Sequence, residues 1–311
     1  MNFTEGRVWP AMLTPLDESG IPCREATERL VEVLVEQGLG GLFVLGSTGQ
    51  GVLLSASERK QVAEWIVQTA AGRTPIMVHV GATTTDVAID LARHAEQIGA
   101  DAVSTVPPIF YPVDTATTLE HYRRIGAATG LPFFPYHAFF LQQSLPSAHE
   151  YAERLLEIPH IAGMKFTDRD LYLMELVHAY SGGRLHIFSG ADELLCQAAL
   201  SGAVGAIGTF YNQWGEACQR VREAFVAGQF EHARAFMIRF GWVIDTILRT
   251  GSVWGFHRAS LRLKYGIDIG PPRAPLGLVE KAWADAEVEA LLRQVEDAAQ
   301  PARHFLDQRE K

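Results

Sequence analysis

The sequence predicts a (β/α)₈ barrel with a helical extension at its C-terminal end. Eight short apolar runs recur at intervals of roughly 20 to 35 residues, as expected for repeated strand and crossover-helix units. Their content is nearly continuous rather than alternating, which is typical of parallel strands buried on both faces. The runs begin near Val8, Leu42, Pro75, Ala102, Leu131, Ile161, Leu185 and Ala203.

Helix signals fall between these runs, where a barrel requires them. Ser55 with Glu58, and Ser147 with Glu150, have the spacing of a capping box, in which each side chain binds a free backbone N–H. Gly99 follows one helical pattern at the position of a left-handed C-terminal residue. Apolar stripes at helical spacing comprise Leu30, Val31, Leu34 and Val35, and also Val87, Leu91, Ala95 and Ile98.

An open doubly wound sheet is the alternative arrangement of such units. Its nucleotide-binding members carry a glycine-rich phosphate loop after a strand. Here the first strand leads into LTPLDESG, and no strand is followed by a GxGxxG or GxxxxGK[ST] segment. The barrel is therefore favoured, and the sequence gives no support for a nucleotide cofactor.

The whole chain, residues 1–311, is predicted to form a single domain. Strand-like runs stop near residue 213, which leaves 1–213 as the barrel core and 214–311 as the last barrel helix and a C-terminal helical extension. No linker separates the two parts, and the PPRAP segment at 271–275 predicts a rigid bend. Helices in the extension are predicted over 216–228, 231–251 and 287–300.

Composition and charge exclude several functional classes. The net charge of −9, without a basic stripe, argues against nucleic acid and anionic membrane partners. The chain has neither a signal-peptide pattern nor the ~18 unbroken apolar residues of a membrane span. Cys23, Cys196 and Cys218 lack metal or disulfide spacing, and so do the eleven histidines, of which His137 is expected to be structural. We therefore expect a soluble, cytoplasmic protein without a metal, and the absence of a Gly-x-Ser-x-Gly elbow disfavours a serine hydrolase.

Polar or glycine-rich clusters follow five of the predicted strands. Because active sites of (β/α)₈ barrels lie at the carboxyl ends of the strands, these clusters should share one mouth. They occupy residues 46–49, 136–137, 165–167, 190–193 and 208–212.

Lys165 is the candidate nucleophile of this mouth. It lies in the apolar run IAGMKF, where an ammonium is costly to desolvate and burial favours the neutral amine. Such an amine can attack a ketone. The alternative is a lysine that extends to solvent or pairs with a carboxylate.

The other clusters offer groups that suit a keto acid. Ser47 and Thr48, flanked by glycines, could cradle a carboxylate, although ordinary turns have the same composition. The Tyr136 phenol could move a proton, or it could be a core tyrosine. Asp192 and Glu193 could bind substrate hydroxyls, while capping of the following helix is the default for Asp192.

Four of these motifs together resemble the N-acetylneuraminate lyase and dihydrodipicolinate synthase family of class I pyruvate-dependent aldolases. The motifs are the Leu-Thr-Pro-Leu segment at 13–16, the Gly-Ser-Thr-Gly loop at 46–49, Tyr136, and the Gly-Met-Lys strand at 163–165. The resemblance covers essentially the whole chain. It implies that Lys165 forms a Schiff base with pyruvate, that the hydroxyls of the 46–49 loop bind its carboxylate, and that Tyr136 transfers protons. It also implies a homotetramer that needs no cofactor, because the substrate itself forms the covalent imine.

Within this family the lyase branch is favoured. The segments 165–168, 190–193 and 205–212 are similar to those that recognise the sialic-acid chain in lyases. The synthase branch carries an arginine soon after its tyrosine motif, whereas 137–141 reads His-Ala-Phe-Phe-Leu here. The resemblance implies that the hydroxyls of the sugar contact Thr167, Gly190, Asp192, Glu193, Gly208 and Thr209.

Two departures from the family pattern concern loops. The usual lyase continuation after the tyrosine motif is replaced by the bulkier Phe139 and Phe140. Many members also use a tyrosine of the neighbouring subunit as a proton relay, and Phe110 takes that position here. Either Tyr111 serves as the relay instead, or the relay is built differently.

Three functions follow in order of preference. The first is reversible cleavage of N-acetylneuraminate, or a related 2-keto-3-deoxy sugar acid, to pyruvate and an aldehyde sugar. The second is a 2-keto-3-deoxy-sugar-acid dehydratase or aldolase that uses the same imine chemistry. The third is a non-catalytic ligand-binding barrel, against which the retention of the four motifs argues.

Overall fold

The computed structural model describes residues 6–138 and 147–309, and within them eight parallel strands alternate with helices. The strands are β1 (Val8–Pro10), β2 (Leu42–Val44), β3 (Ile76–His79), β4 (Ala102–Thr105), β5 (Phe133–Ala138), β6 (Gly163–Thr167), β7 (His186–Ser189) and β8 (Gly205–Gly208). They are hydrogen-bonded in the order β1-β8-β7-β6-β5-β4-β3-β2, and a parallel bridge between Ala11 and Phe43 joins β1 to β2. The predicted (β/α)₈ barrel is confirmed, and each strand begins within two residues of its predicted start.

The helices surround the barrel and continue into the predicted extension. They are α1 (Arg24–Glu36), α2 (Ala56–Ala70), α3 (Thr85–Gln97), α4 (Thr115–Gly126), α5 (Ala148–Leu156), α6 (Leu171–Tyr180), α7 (Leu195–Leu200), α8 (Tyr211–Val226), α9 (Phe230–Arg249), α10 (Val253–Tyr265) and α11 (Asp285–Arg309). The sequence did not predict α10. Its buried face mixes Phe256 and Leu261 with His257 and Ser260, so no simple apolar stripe marks it.

The two predicted capping boxes have different outcomes. At α2 the box is complete: the Ser55 hydroxyl accepts from the Glu58 N–H, and the Glu58 carboxylate accepts from the Ser55 N–H at 2.7 Å. At α5 the Ser147 hydroxyl accepts from the Glu150 N–H at 3.2 Å, while the Glu150 carboxylate pairs with Arg154 at 2.8 Å. At α5 the Glu150 carboxylate thus forms a salt bridge one turn along the helix in place of the capping-box hydrogen bond to the Ser147 N–H.

Helix α3 buries a face that differs slightly from the predicted one. Leu91 and Ala95 are buried as expected, and Gly99 adopts the predicted left-handed conformation with φ of 81°. Val87 was predicted wrongly, because it is 37% exposed and the adjacent Ala88 is buried in its place. The stripe is rotated by one residue relative to the prediction.

Aromatic rings fill the interior of the barrel and form the floor of the mouth. Phe188 makes edge contacts with Trp9 and Phe134, at centroid distances of 5.5 and 5.9 Å. A Cβ at Gly163 would lie 2.8 Å from the Phe134 ring and 2.0 Å from the carbonyl oxygen of His186. The glycine two residues before Lys165 is therefore required by the close approach of these neighbours to β6.

The C-terminal helices pack on one side of the barrel around a second apolar cluster. Trp214 is fully buried at its centre, within 5.9 Å of the rings of Phe240 and Phe256, and its indole N–H donates to the carbonyl of Leu292. The last barrel helix, α8, begins at Tyr211, slightly before the predicted boundary at 214. In the described residues, none of the helices combines the length and apolar character that crossing a bilayer requires.

After α10 the chain returns to the barrel. The Leu16 N–H donates to the carbonyl of Ile269 at 2.9 Å, and the Arg273 N–H donates to the Gln50 side chain at 2.7 Å. The Arg273 guanidinium also pairs with Glu58 at 2.7 Å. This segment therefore braces the loops that follow β1 and β2.

Candidate active site

Lys165 lies at the centre of the barrel mouth, where β6 carries it above the aromatic floor. The side chain is only 5% exposed. Its Nζ lies 4.5 Å from the ring centroid of Phe43 and 4.5 Å from that of Tyr136. This burial excludes one alternative considered from the sequence, in which the side chain extends to solvent.

Tyr136 is the direct neighbour of Lys165, because β5 and β6 pair these two residues in register. Its ring is 5% exposed, and the Thr167 hydroxyl donates to the phenol oxygen at 3.1 Å. Since that contact occupies a lone pair of the phenol oxygen, the phenolic hydrogen remains available for another acceptor. The arrangement can hold a proton donor beside the amine.

Gly190, which follows β7, packs closely against β6. A Cβ at this position would lie 1.8 Å from Thr167 Oγ1 and 2.9 Å from Lys165 Cε. Only glycine allows such a close approach. Gly190 therefore lies in close contact with two other predicted site residues, Thr167 and Lys165, and Thr167 is half-buried.

Asp192 is buried beside β8 and does not cap the helical turn that it begins. Its carboxylate instead accepts from the backbone N–H of Phe210 at 2.7 Å, and a Cβ at Gly208 would lie 1.8 Å from its Oδ1. Burial raises the pKa of Asp192 to about 7, the Phe210 hydrogen bond opposes the rise, and the charge of Glu193 adds to it. The expectation that Asp192 is a local cap is therefore wrong. Glu193 itself is exposed.

The Gly46–Gly49 loop approaches this group from β2. Thr48 is 9% exposed, and its hydroxyl lies 2.7 Å from the hydroxyl of Thr209, so the loops after β2 and β8 meet. The Thr14 hydroxyl donates to the carbonyl of Gly49 at 2.6 Å, which ties two of the sequence motifs together. Ser47, in contrast, is exposed.

The candidate relay tyrosine lies outside this buried group. Tyr111 is 73% exposed and packs edge-on against Phe110, which is 84% exposed, with a ring separation of 5.1 Å. Both residues follow β4. Phe139, Phe140 and Leu141, which replace the usual lyase loop, lie outside the described residues.

His137 supports the neighbouring strands, in agreement with a structural role. Its ring stacks on Phe166 at 4.3 Å, and Nε2 lies 3.2 Å from the Asp168 carboxylate. Burial lowers the pKa of His137, and the hydrogen bond and charge of Asp168 act in the opposite direction. The pair links β5 to the end of β6.

Two buried polar residues at the mouth were not singled out from the sequence. His79 ends β3 and is 1% exposed, and Arg59 of α2 is 3% exposed. The run PIMVHV did not indicate a functional role for His79, because a histidine within an apolar strand is typical of a structural core residue. Across residues 6–138 and 147–309, no group of three or more His, Cys, Asp or Glu side chains is arranged to hold a metal.

The chain is similar in sequence and in fold to known proteins. The model of the dihydrodipicolinate synthetase family matches residues 4–295. N-acetylneuraminate lyase of Mus musculus is 33% identical over 302 residues, covering 94% of this chain and 93% of the relative. The enzyme of the same name from Escherichia coli K12 is 32% identical over 289 residues, covering 93% and 96%.

Solved structures add the three-dimensional match. The sialic acid aldolase of Ruminococcus gnavus superposes with a TM-score of 0.88 at 26% identity, covering 96% of this chain and 99% of that one. N-acetylneuraminate lyase of Proteus mirabilis has a TM-score of 0.85 at 27% identity, with coverage of 96% and 99%. The chain belongs to the dihydrodipicolinate synthetase family.

Proposed function

We propose that the protein is a Schiff-base aldolase that reversibly cleaves N-acetylneuraminate, or a related 2-keto-3-deoxy sugar acid, to pyruvate and an aldehyde sugar. Relatives named N-acetylneuraminate lyase match more than nine-tenths of the chain. A variant of the Ruminococcus gnavus aldolase with a TM-score of 0.88 is described as a catalytic lysine mutant. The observation that carries the proposal is the buried Lys165 amine, 4.5 Å from the centre of the Tyr136 ring.

The reaction begins at the ketone of the substrate. The neutral Lys165 amine attacks C2, and the resulting carbinolamine loses its hydroxyl as water when Tyr136 donates a proton to it. The product is a protonated imine. Its nitrogen is an electron sink that lets the bond between C3 and C4 break without leaving a localised carbanion.

In the cleavage step Tyr136 acts as a base and no longer as an acid. The Tyr136 phenolate takes the proton of the C4 hydroxyl, the electrons of the C3–C4 bond move to the imine nitrogen, and C4 leaves as an aldehyde. The enamine that remains takes a proton at C3 from the Tyr136 phenol, which becomes a phenolate again. Water then hydrolyses the imine, which releases pyruvate and restores the Lys165 amine. The Thr167 hydroxyl, 3.1 Å from the phenol oxygen, orients the tyrosine throughout.

The remaining predicted residues are assigned to substrate binding and, in the case of Tyr111, to proton relay. Ser47 and Thr48 hold the carboxylate of the pyruvate portion. Tyr111 serves as a relay in a neighbouring subunit, which its 73% exposure in this chain supports. The sugar hydroxyls are bound by Thr167, Gly190, Asp192, Glu193, Gly208 and Thr209.

We propose further that the enzyme works as a cytoplasmic homotetramer without a cofactor, since the imine supplies the electron sink. The family resemblance supports the tetramer. We also propose that the chain forms a single domain, since α8, α9 and α11 pack against the barrel in a shared apolar cluster. Light scattering after size exclusion should give four times the mass of the 34.3 kDa chain. A monomer would contradict the proposed relay.

A substrate panel tests the function. We expect pyruvate release, measured with a coupled dehydrogenase, from N-acetylneuraminate and more slowly from other 2-keto-3-deoxy acids. Lys165→Ala should abolish release from every substrate. Dehydration products without an aldehyde sugar would favour the dehydratase, and inertness towards the whole panel would contradict the proposed function.

A further inference from the structure

His79 makes two hydrogen bonds that define the position of its ring and its proton. The Val106 N–H donates to Nε2 at 3.2 Å, so Nε2 is the acceptor of the ring. In a neutral imidazole the proton is then on Nδ1, which lies 3.2 Å from the carbonyl oxygen of Leu45 and donates to it. The ring thereby joins the segments that follow β2 and β4.

The acceptor of this bond is an unusual residue. Leu45 has a φ of 60°, in the left-handed region that few residues other than glycine adopt. It immediately precedes the Gly46–Gly49 loop, and its carbonyl belongs to the peptide that starts the loop. A donor fixed at this carbonyl therefore sets the direction in which the loop leaves β2.

Several contacts keep His79 neutral and in place. Burial lowers its pKa to about 3, and the positive charge of Arg59 acts in the same direction. The Arg59 guanidinium donates to the carbonyl of His79 at 2.6 Å and to that of Gly81 at 2.8 Å. Because the ring does not ionise near neutral pH, Nδ1 remains a single, fixed donor.

We infer that His79 is a positioning residue that holds the Gly46–Gly49 loop in the conformation in which Ser47 and Thr48 receive the substrate carboxylate. The inference rests on the proposed function. It assigns His79 no contact with the substrate, since it acts through the Leu45 carbonyl. Loss of that one hydrogen bond should weaken carboxylate recognition and leave the amine chemistry intact.

Two substitutions separate the two hydrogen bonds of the ring. In His79→Asn the amide nitrogen can occupy the position of Nδ1 and donate to Leu45. In His79→Gln the longer side chain places its amide at the distance of Nε2, where it can accept from Val106 and no longer serves Leu45. Only the glutamine variant should lose carboxylate recognition.

The readout is borohydride trapping of Lys165 by pyruvate and by its neutral methyl ester, each over a range of concentrations. Loss of one buried hydrogen bond should raise the half-saturating pyruvate concentration of the glutamine variant about tenfold. The half-saturating concentration of the ester and the maximal extent of trapping should stay unchanged. The asparagine variant should keep the wild-type preference for pyruvate over the ester. Ser104→Ala is a matched control, because Ser104 pairs with His79 in register, is buried, and has a hydroxyl without a partner among the described residues.

The outcomes distinguish this inference from the proposed function. Failure of the wild-type protein to trap pyruvate would overturn both. Wild-type trapping combined with an equal loss for pyruvate and ester in the glutamine variant would overturn the role of His79 alone. If thermal unfolding shows that the glutamine variant does not fold, the asparagine variant decides, and a lost preference for pyruvate in it overturns the inference.

Discussion

Asp192 should make the folding stability depend on pH between about 4 and about 7. Burial raises the pKa of its carboxyl from 3.8 to about 7, although the Phe210 N–H at 2.7 Å favours the ionised form. In this range the folded protein retains a proton that the unfolded chain has released. The stability contributed by the protonated carboxyl is therefore complete below the unfolded pKa and is lost as the pH rises through about 7. The rise of the Asp192 pKa from 3.8 to about 7 corresponds to about 4 kcal/mol in the free energy of unfolding.

Asp192→Asn removes the ionisation and keeps an oxygen that can accept from Phe210. Relative to wild type, the variant should gain up to about 4 kcal/mol in the free energy of unfolding between about pH 4 and about pH 8. Urea unfolding of both proteins, at one protein concentration across this range, measures the difference. Glu289→Gln, at an exposed residue of α11 that is not among the groups acting on Asp192, is the control and should show no such gain. A stability difference between Asp192→Asn and wild type that stays constant with pH would refute the reasoning.

Three other substitutions probe the site and its support. Tyr136→Phe keeps the ring and removes the proposed proton-transfer hydroxyl, so kcat for pyruvate release should fall by about 10²- to 10⁴-fold, and an unchanged kcat would contradict its role. Gly190→Ala should remove most activity in the same assay, because its Cβ would lie 1.8 Å from a hydroxyl oxygen on β6. Gly241→Ala should retain full activity as the matched control, because its added Cβ meets no described atom within 4 Å apart from the neighbouring backbone of its own helix. Arg273→Gln should destabilise the protein most near neutral pH. The hydrogen bond from Arg273 lowers the pKa of Glu58 to about 2. The stability that the ionised Glu58 contributes in the folded protein is therefore lost as the pH falls from 4.5 towards 2. Urea unfolding that shows equal destabilisation at about pH 7 and about pH 3 would rule out this explanation.

The sequence was most informative where burial determines the residue type. Strands of a (β/α)₈ barrel are covered on both faces, so their apolar runs stand out and their starts could be predicted closely. The same logic identified Lys165, a charged residue within such a run. Gly163 and Gly190 also lay in the predicted motifs, although the reason for each glycine, the approach of Phe134 or of Thr167, emerges only from the packing.

Contacts between distant segments could not be predicted. The Asp192 carboxylate accepts from Phe210 because β7 and β8 are neighbours, whereas the local sequence indicated an ordinary helix cap. The role inferred for His79 depends on the left-handed backbone of Leu45, and a leucine gives no warning of that conformation. Helix α10 was missed because polar side chains form part of its buried face.

The reactivity of Lys165 is central to the proposed Schiff-base chemistry, and covalent trapping measures it. The protein is incubated with pyruvate and borohydride, and peptide mass spectrometry then locates the adduct. We predict one reduced pyruvate per chain on Lys165, no adduct in Lys165→Ala, and an unchanged adduct in Lys264→Ala, where the lysine lost pairs with Glu296 in the extension. An adduct on another lysine, or none on the wild-type chain, would contradict the role of Lys165 in Schiff-base formation.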